Sequence, residues 1–188
     1  MNLLLTKKPD QANVNGFTLL ELLVSLSIAA ILLTIAIPAW HSWVQSSRIQ
    51  SYSHTLFAQM QMARAAALSG HQDVVFCPSA DQQTCKDTAA WQEGWILFRD
   101  EDGDANFGGQ DVLLRVQAGQ TQIAISSAAS RTRIRFQPSG TTGGSNGTYL
   151  FCDTSTQVLP VAIILSRTGR ARISTTAADG SALVCSNS

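Results

Sequence analysis

The sequence is short of charge. Only 14% of its 188 residues are Asp, Glu, Lys or Arg, against about 25% in a typical globular domain. Neither sign is in excess, since thirteen basic side chains balance thirteen acidic ones, and this balance excludes a uniformly basic nucleic-acid-binding protein. The length suits one ordinary domain with an appendage.

Charge is missing altogether from Leu22 to Ser47. An uncharged stretch longer than about 18 residues can cross a bilayer as a helix, so we expect a membrane-spanning segment here. Lys7 and Lys8 precede it, and basic residues keep their end of a membrane helix in the cytoplasm. The chain after the helix is therefore expected outside the cytoplasm.

Patterns of catalytic and metal sites are also scarce. The sequence has no Cys-x-x-Cys motif, and its three histidines, His41, His54 and His71, lie at or before the end of the long helix predicted below. No nucleophile and base pair is recognisable among the remaining residues. We therefore expect no enzyme activity, no cofactor and no metal site.

One acidic loop comes near to metal-binding spacing. Residues 81–111 hold eight acidic and two basic side chains. The spacing of an EF-hand calcium loop is followed by Asp100, Asp102, Asp104, Asn106 and Asp111. Ala105 stands where that loop requires glycine, the last ligand is Asp rather than Glu, and no flanking helix is predicted. A solvated acidic loop between two strands is preferred to a calcium site.

The expected cleavage position relative to the apolar helix differs from that of a secretory signal. A secretory signal is cut after its apolar region, whereas a cut after Gly16 would keep this helix in the mature protein. Glu21 then lies within the apolar segment, where a carboxylate is costly unless paired. The new amine of Phe17 is a natural counter-charge, within one chain or between neighbouring chains. Between chains, Glu21 would be an assembly residue; the alternative is an acid at the membrane interface.

The segment Gly16-Phe17-Thr18-Leu19-Leu20-Glu21 with its apolar helix resembles the prepilin motif of type IV pilins and type II secretion pseudopilins. The resemblance implies cleavage after Gly16 by a prepilin peptidase and N-methylation of Phe17. It also implies a single-pass protein of the inner membrane with a periplasmic C-terminal domain, which joins other pilins in a filament.

The rest of the chain predicts an α+β fold. Apolar residues recur at steps of three and four along one helix face: Ile49, Tyr52, Leu56, Met60, Ala63 and Ala67. Beyond Gly70 the pattern changes to eight short strands, including one over Arg131–Phe136, without the alternation of a parallel sheet. We expect a leader (1–16), a transmembrane and assembly part of the helix (17–47), and a periplasmic domain (48–188) whose antiparallel sheet packs on the helix.

Four cysteines outside the cytoplasm favour disulfides over zinc. Three pairings are possible. Cys77–Cys85 with Cys152–Cys185 is favoured, because it needs one local closure and one staple of the C-terminal segment.

Arginines dominate the C-terminal part, where residues 112–188 hold seven of them and two acids. Period two places Arg131, Arg133 and Arg135 on one strand face. A hairpin turn at Thr168-Gly169 carries Arg167 and is followed by Arg170 and Arg172, both directed outward. The planar guanidinium suits phosphate, although a charged edge strand that prevents aggregation gives the same pattern.

The full layout, including Trp91-Gln92-Glu93-Gly94-Trp95 and Arg133-Ile134-Arg135-Phe136, is similar to the GspH/FimT family. Gly169-Arg170-Ala171-Arg172 resembles the Gly-Arg-x-Arg motif of FimT-type minor pilins. The resemblance implies binding of double-stranded DNA in natural transformation by Arg167, Gly169, Arg170 and Arg172, with Arg131, Arg133 and Arg135 as secondary contacts. The alternative is a structural pseudopilin H of a type II secretion system, or a pilus-priming minor pilin, without DNA binding.

Overall fold

The computed structural model describes residues 17–128, 130–154 and 158–185. The leader 1–16 and the expected cleavage residue Gly16 lie outside the described residues. The chain begins with one helix, α1, from Leu19 to Gly70. Thr18 caps it, because its Oγ1 accepts the N–H of Glu21 at 3.2 Å.

The first part of α1 is apolar on every side. Its long side chains are exposed, and the helix is long and apolar enough to cross a membrane. The hydroxyls of Ser25 and Ser27 donate to carbonyl oxygens one turn earlier, at 2.7 and 2.8 Å. These bonds satisfy both hydroxyls within the helix, as a hydrocarbon environment requires.

From His41 onward the helix belongs to the compact globular unit. The predicted apolar face is confirmed, since Ile49, Tyr52, Leu56, Met60, Ala63 and Ala67 are all buried. This face packs in a core with aromatic side chains from the strands. Tyr52 donates its hydroxyl to the carbonyl of Ala118 at 2.8 Å, and Trp95 Nε1 donates to Gln59 Oε1 at 2.7 Å.

Among the described residues, eight antiparallel strands follow, one for each predicted strand. They are β1 Asp73–Pro78, β2 Gly94–Asp100, β3 Val112–Ala118, β4 Ile123–Ser126, β5 Ile134–Phe136, β6 Gly147–Asp153, β7 Val161–Leu165 and β8 Ala171–Ser174, with a short 3₁₀ helix at Trp91–Glu93. The α+β class is confirmed.

The strands form two sheets of four rather than the single sheet expected. One has the order β3-β2-β1-β5 and the other β4-β6-β7-β8. The chain changes sheets three times, after β3, after β4 and after β5, because β5 pairs with β1 and not with its sequence neighbours. Pairing partners so far apart in sequence leave no trace in strand periodicity. Both sheets contribute buried aromatics to the core shared with α1.

Two disulfides fasten the domain. Cys77 is joined to Cys85 and Cys152 to Cys185, with Cα–Cα distances of 5.4 and 6.0 Å. This is the pairing that the sequence analysis favours. In the chain-entropy model each crosslink of this kind stabilises the fold by about 2–4 kcal/mol.

Candidate functional site at the arginine hairpin

The arginine hairpin consists of β7, β8 and the turn 166–170 between them. Its turn is closed by backbone hydrogen bonds from Ser166 N to Arg170 O at 2.9 Å and from Gly169 N to Ser166 O at 3.0 Å. Ser166 Oγ also accepts the N–H of Arg170 at 3.1 Å. The turn predicted at Thr168-Gly169 is therefore confirmed, and its backbone is well fixed.

The hairpin directs its arginines to solvent. Arg167, Arg170 and Arg172 are exposed, whereas Ala171 and Ile173 are half-buried, which is the predicted alternation along β8. Within the described part of the chain these three arginines form no ion pair; Arg172 Nη1 contacts only a hydroxyl, Ser174 Oγ, at 3.2 Å. Three guanidinium groups are thus free to bind an anion.

Gly169 is buried where the turn meets a second loop. Its φ of +74° lies in the left-handed region, and a Cβ at this position would overlap the carbonyl oxygen of Gly140. The same loop donates Thr142 N–H to the carbonyl of Arg167 at 3.0 Å. Glycine is required here by both conformation and space, and the close approach fixes the hairpin tip against the loop.

The structure does not give Arg131, Arg133 and Arg135 the exposed basic face that period two predicts. β5 contains only Ile134–Phe136. The side chain of Arg133 is 16% exposed and contacts both the acidic loop after β2 and the segment 86–87 before the 3₁₀ helix. It donates to the carbonyls of Ala105 and Lys86 at 2.8 and 2.7 Å. Its Nη2 also pairs with Asp87 at 3.1 Å.

Arg135 is paired within the domain, whereas the Arg131 side chain has a buried Nε without a hydrogen-bond partner among the described residues. Arg135 forms an ion pair with Asp73. Arg131 is half-buried, and its carbonyl accepts Trp91 Nε1 at 2.9 Å. Burial raises the pKa of Tyr149, and the positive charge of Arg131 opposes this shift. Since β5 belongs to the other sheet, strand pairing does not bring these arginines together with the hairpin.

The acidic loop folds on its own hydrogen bonds. Carboxylate oxygens of Asp100, Asp102, Asp104 and Asp111 all lie within 4.8 Å of one another. Asp100 accepts the N–H groups of Gly103 and Ala105 at 2.8 and 3.1 Å. Burial nevertheless raises the pKa of Asp100, with the negative charge of Asp111 adding to the shift. The four carboxylates are close enough to hold a cation, and the preference for a solvated loop over a calcium site stays a prediction.

At the start of α1, the structure places Phe17 and Glu21 in exposed positions. Glu21 lies in the first helical turn, where the helix dipole favours an acid. Among the described residues its carboxylate has no ion-pair partner. An assembly role for Glu21 stays a prediction.

One arginine at the hairpin was missed by the sequence analysis. Arg64, on α1, donates its Nε to the carbonyl of Gly140 at 3.0 Å. One sequence feature distinguishes Arg64: it is the only charged residue between Arg48 and Asp73. Helical periodicity does not indicate that this residue meets a loop 76 positions away.

The sequence matches two models of known protein families. A family model described as type II transport protein GspH matches residues 53–169, and a prokaryotic N-terminal methylation motif matches residues 11–37. No curated protein sequence matches.

Among solved structures, the type IV minor pilin FimU of Pseudomonas aeruginosa strain PAO1 is similar in two crystal forms. The TM-scores are 0.52 and 0.53, at 20% and 18% identity, over 66% and 68% of this chain and 91% and 89% of FimU. The minor pseudopilin EpsH of Vibrio cholerae has a TM-score of 0.47 at 9% identity, over 66% of this chain and 94% of EpsH. The FimU likeness establishes a fold of the type IV pilin kind.

Proposed function

The chain belongs to the GspH family of minor pilins and pseudopilins, and from this premise we propose that it is a minor pilin of a type IV pilus. In this role it binds double-stranded DNA during uptake for natural transformation. The observation that carries the proposal is the arginine hairpin, with three exposed guanidinium groups and no acidic partner among the described residues.

The proposed route to the pilus uses the N-terminal segment. A prepilin peptidase cuts after Gly16 in the inner membrane, and Phe17 is N-methylated; the matched methylation motif supports this step. The helical part 17–47 holds the subunit in the membrane, with 48–188 in the periplasm. On assembly, Glu21 pairs with the terminal amine of a neighbouring subunit.

Phosphate recognition follows from the chemistry of the hairpin. Arg170 ends the turn and Arg172 lies on β8, two positions further along the chain, so their side chains can reach different phosphates. Arg167 approaches from the other end of the turn. Contacts to phosphate carry no direct sequence information. We therefore expect binding to be independent of sequence, with a log–log salt slope of about −3 for three contacts.

The experiment titrates a fluorescent 30-bp duplex with the full-length chain in nonionic detergent, at several salt concentrations. We expect Arg170→Ala combined with Arg172→Ala to weaken binding by more than about tenfold and to reduce the salt slope by about 1.8. The matched control is Arg48→Ala combined with Arg115→Ala, which removes two exposed arginines away from the hairpin. Equal binding by the two double variants would reject the proposal.

The name of the matched family model favours a second candidate, a structural pseudopilin of a type II secretion system. The hairpin arginines would then contact acidic surfaces of neighbouring subunits. Deleting the gene separates the two functions. Loss of transformation with normal protein secretion supports a pilus subunit, for which the hairpin double variant then separates DNA binding from pilus priming. Loss of secretion with normal transformation supports the pseudopilin.

A further inference from the structure

We propose that the anion-binding surface continues from the arginine hairpin onto α1, where Arg64 supplies a fourth guanidinium to the phosphate chain. This inference rests on the proposed function, because it extends the same site. Neither the family match nor the sequence motif includes Arg64 among phosphate contacts.

The position of Arg64 is fixed by two glycines. Its Nε donates to the carbonyl of Gly140 at 3.0 Å, and Gly140 in turn lies directly against Gly169. A Cβ on Gly169 would lie 3.1 Å from Arg64 Nε. Since Gly169 is next to Arg170 in the chain, the guanidinium of Arg64 lies beside the turn that carries the hairpin arginines.

Most of the hydrogen-bonding capacity of Arg64 is unused. A guanidinium has five N–H donors, and only the Nε donor of Arg64 has a partner among the described residues; Nη1 and Nη2 make neither a hydrogen bond nor an ion pair there. Arg133 is different, because Nε, Nη1 and Nη2 all have partners. The Nη edge of Arg64 therefore remains open to a ligand.

The unpaired positive charge at this surface indicates that its ligand is an anion. Arg64 is half-buried, and the nearby Arg167, Arg170 and Arg172 also lack acidic partners in the described part of the chain. Like charges on the turn, on β8 and on the adjoining part of α1 repel one another, and partial burial of Arg64 adds a desolvation cost. A phosphodiester chain offers anions at regular intervals and would offset this repulsion.

At position 64, arginine can both hold the loop and contact phosphate. Its rigid fork can donate Nε to a backbone carbonyl while the Nη edge points to phosphate. A lysine has a single ammonium and would keep the charge without the fixed tie. The charge and the tie to Gly140 can therefore be separated by substitution.

The test measures the salt dependence of duplex binding by full-length chain in nonionic detergent, for Arg64→Gln, Arg64→Met and Arg64→Lys. For the neutral variants we expect the magnitude of the log–log slope to fall by about 0.9, which corresponds to about eightfold weaker binding at 0.1 M salt. Arg64→Lys should keep the parent slope. Arg48→Gln, an exposed arginine on the same helix, is the control and should change neither quantity.

The possible results separate this inference from the proposed function. The inference is overturned if Arg64→Gln and Arg64→Met keep the salt slope of the parent protein. It is also overturned if all three Arg64 variants lose affinity equally without a change of slope. Either result would show that Arg64 only positions the loop. If the hairpin double variant still loses binding in that case, the proposed function stands. Absence of duplex binding by the parent chain would reject both.

Discussion

At the scale of single residues, the arginines of this domain differ in the partners that neutralise them. Arg133 and Arg135 pair with Asp87 and Asp73, whereas Arg170 and Arg172 have no acidic partner within the described residues. Each of these ion pairs has one largely buried partner, Arg133 or Asp73, and the consequence for the anion-binding surface is positional. The ion pairs remove Arg133 and Arg135 from the anion-binding surface, and the arginine hairpin remains as the centre of that surface.

Gly169 is the residue on which the shape of that surface depends. Gly169→Ala should lower the free energy of unfolding by at least about 2 kcal/mol, because it adds left-handed strain and an overlap with the carbonyl of Gly140. DNA affinity should fall with it. Denaturant unfolding of full-length protein in detergent measures the first effect.

A matched control for this substitution is Gly180→Ala. Gly180 has φ +87°, but no neighbouring atom lies within 4 Å of the position that a Cβ would occupy, so it should show only the strain, about 1 kcal/mol. Equal destabilisation by the two substitutions would contradict the close approach at the hairpin tip.

Helices and strands could be predicted from the sequence where one of their faces is buried and the other is exposed. The face of α1 from Ile49 to Ala67 and the alternation of β8 follow from periods of 3.6 and 2, and both are confirmed. β5 was predicted too long, because Arg131, Thr132 and Arg133 also alternate with the right residue types. Their backbone and side chains instead contact Trp91 and the acidic loop, contacts that no local pattern encodes.

The loop closed by the Cys77–Cys85 disulfide carries the clearest pH effect. Asp81 accepts hydrogen bonds from the Thr84 hydroxyl, from the N–H groups of Gln83 and Thr84, and from Ser79, and these bonds, that from the Thr84 hydroxyl most, lower its pKa below the ordinary value of 3.8. A lowered carboxyl pKa stabilises the folded loop above about pH 4 and loses this contribution as the pH falls further.

We therefore expect backbone amide exchange at Gln83 and Thr84 to speed up, relative to intrinsic rates, when the pH drops from 5 to about 2. Hydrogen exchange followed by mass spectrometry measures this change. In Asp81→Ala, which removes the acceptor for both N–H groups, the protection should be low already at pH 5 and should not change with acidification. A parent profile without pH dependence would contradict the role assigned to Asp81.

At the scale of the whole molecule, a neutral net charge conceals two opposite surfaces. The acidic loop and the arginine hairpin belong to different parts of the fold, since the loop follows β2 in one sheet and the hairpin closes the other. Counting charges along the chain located both regions. The division of the strands between two sheets was not predictable, because β5 pairs with a strand about 60 positions earlier in the chain. The ion pairs that remove Arg133 and Arg135 from the site were equally unpredictable, because they also join residues far apart in the chain.

The most direct measurement of the central claim asks which surface touches DNA. A photo-crosslinking amino acid is placed at Thr168, on the hairpin turn, or at Gln110, in the acidic loop; both positions are exposed. Full-length protein in nonionic detergent is irradiated with a labelled 30-bp duplex. We predict strong crosslinking from position 168, abolished by Arg170→Ala with Arg172→Ala, and background crosslinking from position 110. Equal crosslinking from the two positions, or none from 168, would contradict DNA binding by the arginine hairpin.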